Sequence, residues 1–359
     1  MNYSQFLFYL GGTTDIVVQE KLEDGKLKYL CKSSGEKCGG TNVDEELLQL
    51  ITNVLGQAVF TSFKKDHPME YFDLHREFEN LKQCMIDGNH KTISAPINVF
   101  DELCKTNYNK SFVEVLKQSE HKDSLVLVGN KLRMSEELFL STFSTTTSKI
   151  ITLIQENLIK SECLGLNLFL LVGGFSESSV IQDGIKRAFS DKQIIIPPES
   201  GIVVLKGAVI YGHNPDIIAS RVVKYTYGIS STETYDPSKH DKSKRVTIDG
   251  VLRCEKIFRK LITANTSVVV GEKRYHHFHT TDRDQDFAHF RLFCSSSKNP
   301  KYVDESGCKE HGKFSVEIQK HSRDIVDIEV TFQFGLTELI VSAKQKGTIR
   351  ESYITVKYS

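Results

Sequence analysis

No charge of one sign dominates this chain. Lysine plus arginine number 46, aspartate plus glutamate also 46, and the formal net charge is zero. That balance excludes broad electrostatic capture of nucleic acid or of an anionic membrane surface. No apolar run approaches the ~20 residues that a membrane-spanning helix needs. Residues 1–10 are apolar, but no basic residue precedes them and no small-residue cleavage site follows, so they do not read as a secretory signal. Paired cysteines are missing too. The eight cysteines lie scattered with no Cys-x-x-Cys, the pattern of free thiols in a cytoplasmic protein rather than of a disulfide framework. The Asn-x-Ser/Thr sequences at Asn2, Asn109 and Asn265 are then chance matches. There is no Gly-x-Ser-x-Gly elbow, no Walker lysine loop and no low-complexity segment.

What is present falls into two patterns. The 359 residues leave room for two or three domains, and 39% apolar content is adequate for real cores. Residues 5–31 alternate strand, glycine turn, strand, Glu23-Asp24-Gly25-Lys26 turn and strand, a β-meander. Cys38-Gly39-Gly40 makes a second glycine turn. Thr41 stands three before Asp44, the spacing of a capping box, and Val43, Leu47, Leu48, Ile51, Val54 and Leu55 form one apolar stripe. A second helix starts near His67-Pro68 and carries Tyr71, Leu74, Phe78, Leu81 and Met85. Residues 90–134 read as short strands and a helix. Ser135 caps a long helix whose first turn holds Glu136 and Glu137, with Leu140, Phe143, Ile150, Ile154 and Leu158 facing inward. Residues 166–172 are a continuous apolar run, the mark of a strand buried on both faces. It ends on Gly173-Gly174, and a helix follows with Ser176, Ser178 and Ser179 available as caps. Residues 193–196 give another strand and 199–212 another helix. After His213-Asn214-Pro215 helical stripes vanish and apolar residues alternate with charges, ending in antiparallel strands around a Gly347 turn. The boundary between an α/β domain and a β domain is expected near 213–222.

Three glycine turns could carry chemistry: Gly11-Gly12-Thr13-Thr14, Gly39-Gly40 and Gly173-Gly174. Glycine lets backbone N–H groups approach a phosphate or sugar closely, and threonine adds a hydroxyl. Singly, each is an ordinary turn. Glu79 and Lys82 lie three apart on one helical face, away from the Tyr71–Met85 stripe, and an exposed ion pair is the plainer reading of them alone. His276-His277-Phe278-His279 suggests a metal, but 277 and 279 share one strand face while 276 faces away, and no ligand set is completed at zinc spacing. No metal centre is expected.

Taken in order, the turns say more. A Gly-Gly-Thr-Thr hairpin, Gly-Gly before a helix, a helix with Glu79 and Lys82, "LVGGFSES" after a buried strand and "LKGAVIYG" together resemble the actin-like ATPase fold of the 70-kDa heat-shock protein family. "LRMS" (132–135), "LVGGFSES" (171–178) and "LKGAVIYG" (205–212) resemble its divergent heat-shock 70 kDa protein 12 branch. "IEVTF" (328–332) and "LIVSA" (339–343) resemble paired strands of the family's peptide-binding β-sandwich. The resemblance implies that Gly11, Gly12, Thr13 and Thr14 form the second phosphate loop. It places Gly39 and Gly40 against the nucleotide sugar, Glu79 and Lys82 on adenosine, and Gly173 and Gly174 in the adenosine motif. The family's loop reads Asp-x-Gly-Gly-Gly-Thr-x-Asp; here the first acid falls on Phe8 and the first glycine on Leu10. That acid helps order metal and water, which a phenyl ring cannot do. The second basic residue of the adenosine helix is Gln83, and Phe175 and Glu177 follow where ordinary members carry a small polar residue and an arginine.

The fold expected is therefore α/β plus β. Residues 1–213 are the second half of an actin-like (ribonuclease H-like) ATPase domain, with 61–130 as an outer subdomain, and 222–359 form a β-sandwich-like, substrate-binding domain. The first half, with its own phosphate loop, would precede residue 1. The resemblance implies ATP or ADP with Mg2+ as cofactor, client polypeptides as partners, and weak or no hydrolysis by these residues alone. A non-enzymatic scaffold acting through the β domain is the alternative. A sugar kinase of the wider superfamily is a third reading, disfavoured by the β-sandwich-like C-terminus.

Overall fold

A computed structural model describes residues 3–31, 33–83, 91–248, 250–280, 285–319, 325–335 and 338–357. It divides into two compact units. One comprises residues 4–18 and 33–212; the other comprises 1–3, 19–32 and 213–359.

The first unit is mixed α/β. The apolar run 166–172 becomes the strand Leu168–Val172, and it pairs in parallel with Tyr3–Leu10, Phe6 opposite Phe169 and Phe8 opposite Leu171. Gln193–Ile195 pairs in parallel on its other side. Parallel strands sit between covering layers, which explains why Leu168–Val172 reads as apolar throughout rather than alternating. Phe169 is fully buried and meets Phe6 and Phe8 edge-on, with ring centroids 5.4 and 5.0 Å away, and Phe189 at 5.5 Å. Phe8 is thus a core residue.

Helices Gly40–Leu55, Gln57–Asp66, Pro68–Gln83 and Glu136–Leu158 build the rest of this unit's core. The predicted stripes hold with local shifts. In the first helix Leu50 is buried rather than Leu48; in the third, Leu74, Phe78 and Leu81 are buried, and Met85 lies outside the described residues. In the long helix Phe139 and Leu153 are buried, while Leu140 and Leu158 are only partly so. Ser135 caps as expected, its Oγ accepting from the Leu138 N–H at 3.2 Å. The polar stretch 90–134 holds a three-stranded sheet (Lys91–Ser94, Lys131–Met134, Leu125–Val128) and two helices, Ile97–Tyr108 and Phe112–Gln118.

The helix Ser200–His213 departs from the amphipathic rule. Its only buried residue is Ser200, while Leu205, Val209 and Ile210 are 67%, 55% and 57% exposed. An apolar helix surface of this kind is unusual on a soluble monomer.

The second unit is β-rich. Residues 19–32 count with it because Gln19–Lys21 pairs with Leu27–Tyr29, which pairs with Ile218–Val222. A five-stranded sheet runs in the order Arg245–Ile248, Val251–Ile262, Thr226–Thr234, Phe287–Ser295, Cys308–Glu317. A four-stranded sheet runs Lys273–His279, Asp327–Phe334, Glu338–Gln345, Glu351–Lys357. Both contribute to one core, in which Ile229, Leu292, Val330, Phe332 and Val341 are buried. Asp327–Phe334 alternates strictly, with Ile328, Val330, Phe332 and Phe334 inward. It pairs antiparallel with the next strand, as the sequence predicts. The seven described cysteines are all free thiols.

Replacing Phe169 with alanine removes three ring contacts from a fully buried site. It is expected to destabilise the chain by about 3–5 kcal/mol, read as a lower midpoint in urea denaturation followed by circular dichroism.

Candidate functional site

The three glycine turns meet through their backbones. The Gly40 N–H donates to the Gly11 carbonyl at 2.8 Å. A Cβ on Gly39 would lie 2.5 Å from that same oxygen and 2.6 Å from the Gly12 carbonyl, so only glycine allows this approach. Gly173 has φ of 96°, and a Cβ there would lie 2.4 Å from the Leu10 carbonyl. The first and third turns are thus fixed at the ends of the adjacent parallel strands Tyr3–Leu10 and Leu168–Val172.

Together they enclose a cavity of about 170 Å³. Six of the ten expected site residues line it: Gly11, Gly12, Gly40, Glu79, Lys82 and Gly174. Gly39 and Gly173 support it from behind. Thr13 is exposed and does not line it. Thr14 is fully buried, and its Oγ1 donates to the Cys38 carbonyl at 2.6 Å, tying the first turn to the second.

The helix start differs from the expected Thr41–Asp44 box. The helix begins at Gly40, and the Gly39 N–H donates to Asn42 Oδ1 at 3.0 Å. This frees both other residues. Thr41 Oγ1 donates to the Gly12 carbonyl at 2.8 Å, and Asp44 turns toward Lys82.

Lys82 is the centre of the site's electrostatics, and it is not on an exposed face. Its side chain is only 4% exposed, against 61% for Glu79. Nζ lies 2.8 Å from Asp44 Oδ2, 2.8 Å from Glu79 Oε2 and 3.3 Å from the Gly40 carbonyl. An ammonium has three protons, and these three acceptors take them all. Lys82 therefore positions the two carboxylates and the glycine turn rather than presenting a free cation. Burial, partly offset by Lys82, pushes the Asp44 carboxyl up from the usual carboxylate range. Its Oδ1 is buried without a hydrogen-bond partner.

Ser178 went unnoticed as a candidate because its position after the third turn suggests a helix cap. It stands at the N-cap of Ser179–Ala188, yet its side chain makes no cap bond. It is 1% exposed, lines the cavity, and its Oγ has no partner. A buried hydroxyl without a partner is costly unless a ligand or water completes it. Ser176 is taken up elsewhere, its Oγ bonding the Gly173 carbonyl at 2.7 Å and Ser200 Oγ at 2.8 Å. Phe175 lines the cavity and stacks on Phe143, while Glu177 accepts from the Gly201 N–H at 2.8 Å at the next helix start.

The histidine run behaves as its alternation predicts. His276 turns inward onto Phe332 and burial pushes its pKa down, while His277 and His279 are exposed. No group of three potential metal ligands occurs among the described residues.

No protein-family model matches the chain. It is 29% identical to human heat shock 70 kDa protein 12B (Homo sapiens) and 30% identical to mouse heat shock 70 kDa protein 12A (Mus musculus), in each case over 97% of this chain and 53% of the relative. It is 26% identical to the chaperone protein DnaK of Mycoplasmopsis synoviae, over 97% of this chain and 51% of that protein. The chain spans about half the length of the relatives it matches.

Replacing Lys82 with methionine leaves the inner carboxylate of Asp44 without its cation. The variant is expected to lose about 2–3 kcal/mol of stability, and Asp44→Asn in the same chain to restore part of it, read as a double-mutant cycle in urea. The sign with pH follows from the raised Asp44 carboxyl. A carboxyl that binds its proton more tightly when folded opposes folding while ionised, so the Lys82→Met penalty is full at neutral pH. It shrinks as the pH falls through Asp44's raised range toward the ordinary value near 4.

Proposed function

We propose that this chain is a divergent 70-kDa heat-shock protein of the kind typified by heat shock 70 kDa protein 12, to which it is similar along 97% of its length, and that its cavity holds the adenosine part of ATP or ADP. In this reading residues 1–213 are the second half of an actin-like ATPase domain, with 61–130 as its outer subdomain. Residues 222–359 hold a segment of a client polypeptide. The protein acts as an ATP-linked, chaperone-related factor.

The observation that carries the nucleotide reading is the partnerless Ser178 hydroxyl in a cavity walled by glycine backbone. Glu79, mostly exposed, supplies a carboxylate acceptor for sugar hydroxyls, and Ser178 supplies a donor for the base or sugar. The residues fit an adenosine. They offer no free cation to the phosphates of ATP or ADP. Lys82 is the only cation lining the cavity among the described residues, and its donors are taken. At about 170 Å³ the cavity is also smaller than the roughly 300–1,000 Å³ of ordinary small-molecule sites. A facing surface carrying phosphate and Mg2+ ligands would be needed for the rest. Phe8 adds to this, since it is packed between Phe6 and Phe169 where the resemblance calls for a metal-ordering acid. No step of hydrolysis is therefore assigned to these residues.

The lack of a free cation among the described lining residues favours a second reading, a scaffold that works through the β-rich unit and turns over no nucleotide. Titration calorimetry separates the two. A Cβ on Gly174 meets nothing within 4 Å, so Gly174→Val places its side chain at the cavity without a clash at Cβ, and circular dichroism checks that the variant is folded. Adenosine and ADP are expected to bind the 359-residue chain with affinities within about tenfold of each other, and Gly174→Val to abolish both. No heat with either ligand favours the scaffold. Mg-ATP turnover well above that of Gly174→Val would refute the proposed loss of hydrolysis.

A further inference from the structure

The glycine cavity has one wall that its polar chemistry does not use. Four of its described lining residues are glycines and five are polar; Phe175 is the single apolar side chain among them. A cavity of backbone and polar groups with one aromatic wall suits a ligand that joins a flat ring to a polyol.

The Phe175 ring is held firmly. It is 6% exposed and stacks on Phe143, with ring centroids 6.3 Å apart and an interplanar angle of 11°. Phe143 meets Phe139 edge-on at 5.1 Å, and both of those rings are buried. A Cβ on Gly40 would lie 3.3 Å from Phe175 Cδ2, so the edge of the ring abuts the second glycine turn. The Ser178 N–H donates to the Phe175 carbonyl at 3.3 Å, which sets the partnerless Ser178 hydroxyl beside the same wall. A ring already packed against the core loses little freedom when a ligand stacks on it.

The polar groups left to read a base have no fixed polarity. The Lys82 donors are taken, and Glu79 can only accept. The Ser178 hydroxyl rotates to donate or to accept, and the Gln83 amide carries a donor and an acceptor. Neither group separates a 6-amino purine from a 6-oxo purine. An aromatic platform is equally tolerant, since every base has a π-face.

We infer that Phe175 is the platform on which the base stacks, and that stacking rather than base-edge hydrogen bonding sets the ligand class: purine nucleosides with either a 6-amino or a 6-oxo group. The inference rests on the reading that the cavity holds the nucleoside part of a nucleotide. It adds the residue that selects the base and widens the class beyond adenine.

The chain has no tryptophan, so Phe175→Trp places a single one at the platform. Its emission is expected to be quenched by adenosine and by inosine, which differs from adenosine only at C6, and to be unchanged by ribose. Titration calorimetry of the unaltered chain is expected to give adenosine and inosine affinities within about tenfold of each other, the worth of one net hydrogen bond. Phe175→Leu keeps an apolar side chain without a π-face, and is expected to weaken both nucleosides by about fivefold or more, while Phe175→Tyr retains most of the affinity. Circular dichroism checks that each variant is folded. Undiminished binding by Phe175→Leu, or a Phe175→Trp chain that binds adenosine without quenching, overturns the platform and leaves the adenosine reading intact. A preference for adenosine over inosine beyond that tenfold limit overturns the wider class. No binding of either nucleoside by the unaltered chain overturns the inference together with the reading it rests on.

Discussion

Everything at the glycine site depends on one constraint, that three stretches of backbone come closer together than side chains allow. Gly39 lies against the carbonyls of Gly11 and Gly12, and Gly173 against that of Leu10. These contacts bring the strand ends, the Gly40–Leu55 helix start and the Ser178 turn to one cavity. The positions of Lys82 and Glu79 follow, because Lys82 reaches the Gly40 carbonyl only where that turn is held. Side chains at Gly39 or Gly173 would separate the walls before they touched any ligand.

Within that frame, burial and function compete for the same residues. Phe8 and Phe169 pack as aromatic core, and a ring cluster of this kind stabilises the strands more than an acid at Phe8 would. Lys82 shows the opposite choice. A buried ammonium is tolerated because two carboxylates and a carbonyl surround it. One residue gives up chemistry for packing, and the other gives up a packed apolar side chain for a fixed electrostatic arrangement.

Much of this was legible in the sequence because it is periodic. The apolar run ending on Gly173, the alternation of Asp327–Phe334 and the Ser135 cap each announce one local structure, and the structure adopts it. The order of the glycine turns pointed to a shared site, and six expected residues do line one cavity. What escaped depends on long-range choice. Asn42 rather than Thr41 serves the helix start, a one-residue shift that frees Asp44 for a lysine 38 positions away. Helical spacing placed Lys82 beside Glu79 but could not tell that a neighbouring helix covers one of them and not the other. Ser178 was ambiguous for the same reason, since a serine before a helix carries the same local signature whether or not it caps. Residues 90–134 hold two helices where the sequence suggests one, because short polar elements give periodicity little to act on.

The turn that lines the cavity is bonded directly to the start of the exposed apolar helix. Gly173 N–H donates to the Ser200 carbonyl at 2.9 Å, Ser176 meets the Ser200 hydroxyl, and Glu177 holds the Gly201 N–H. The cavity wall and the first turn of the helix Ser200–His213 are therefore joined directly. An occupant of the cavity that shifts this turn changes the free energy with which the helix face meets a covering surface. Thermodynamic reciprocity requires the covering surface to change the occupant's affinity by the same factor.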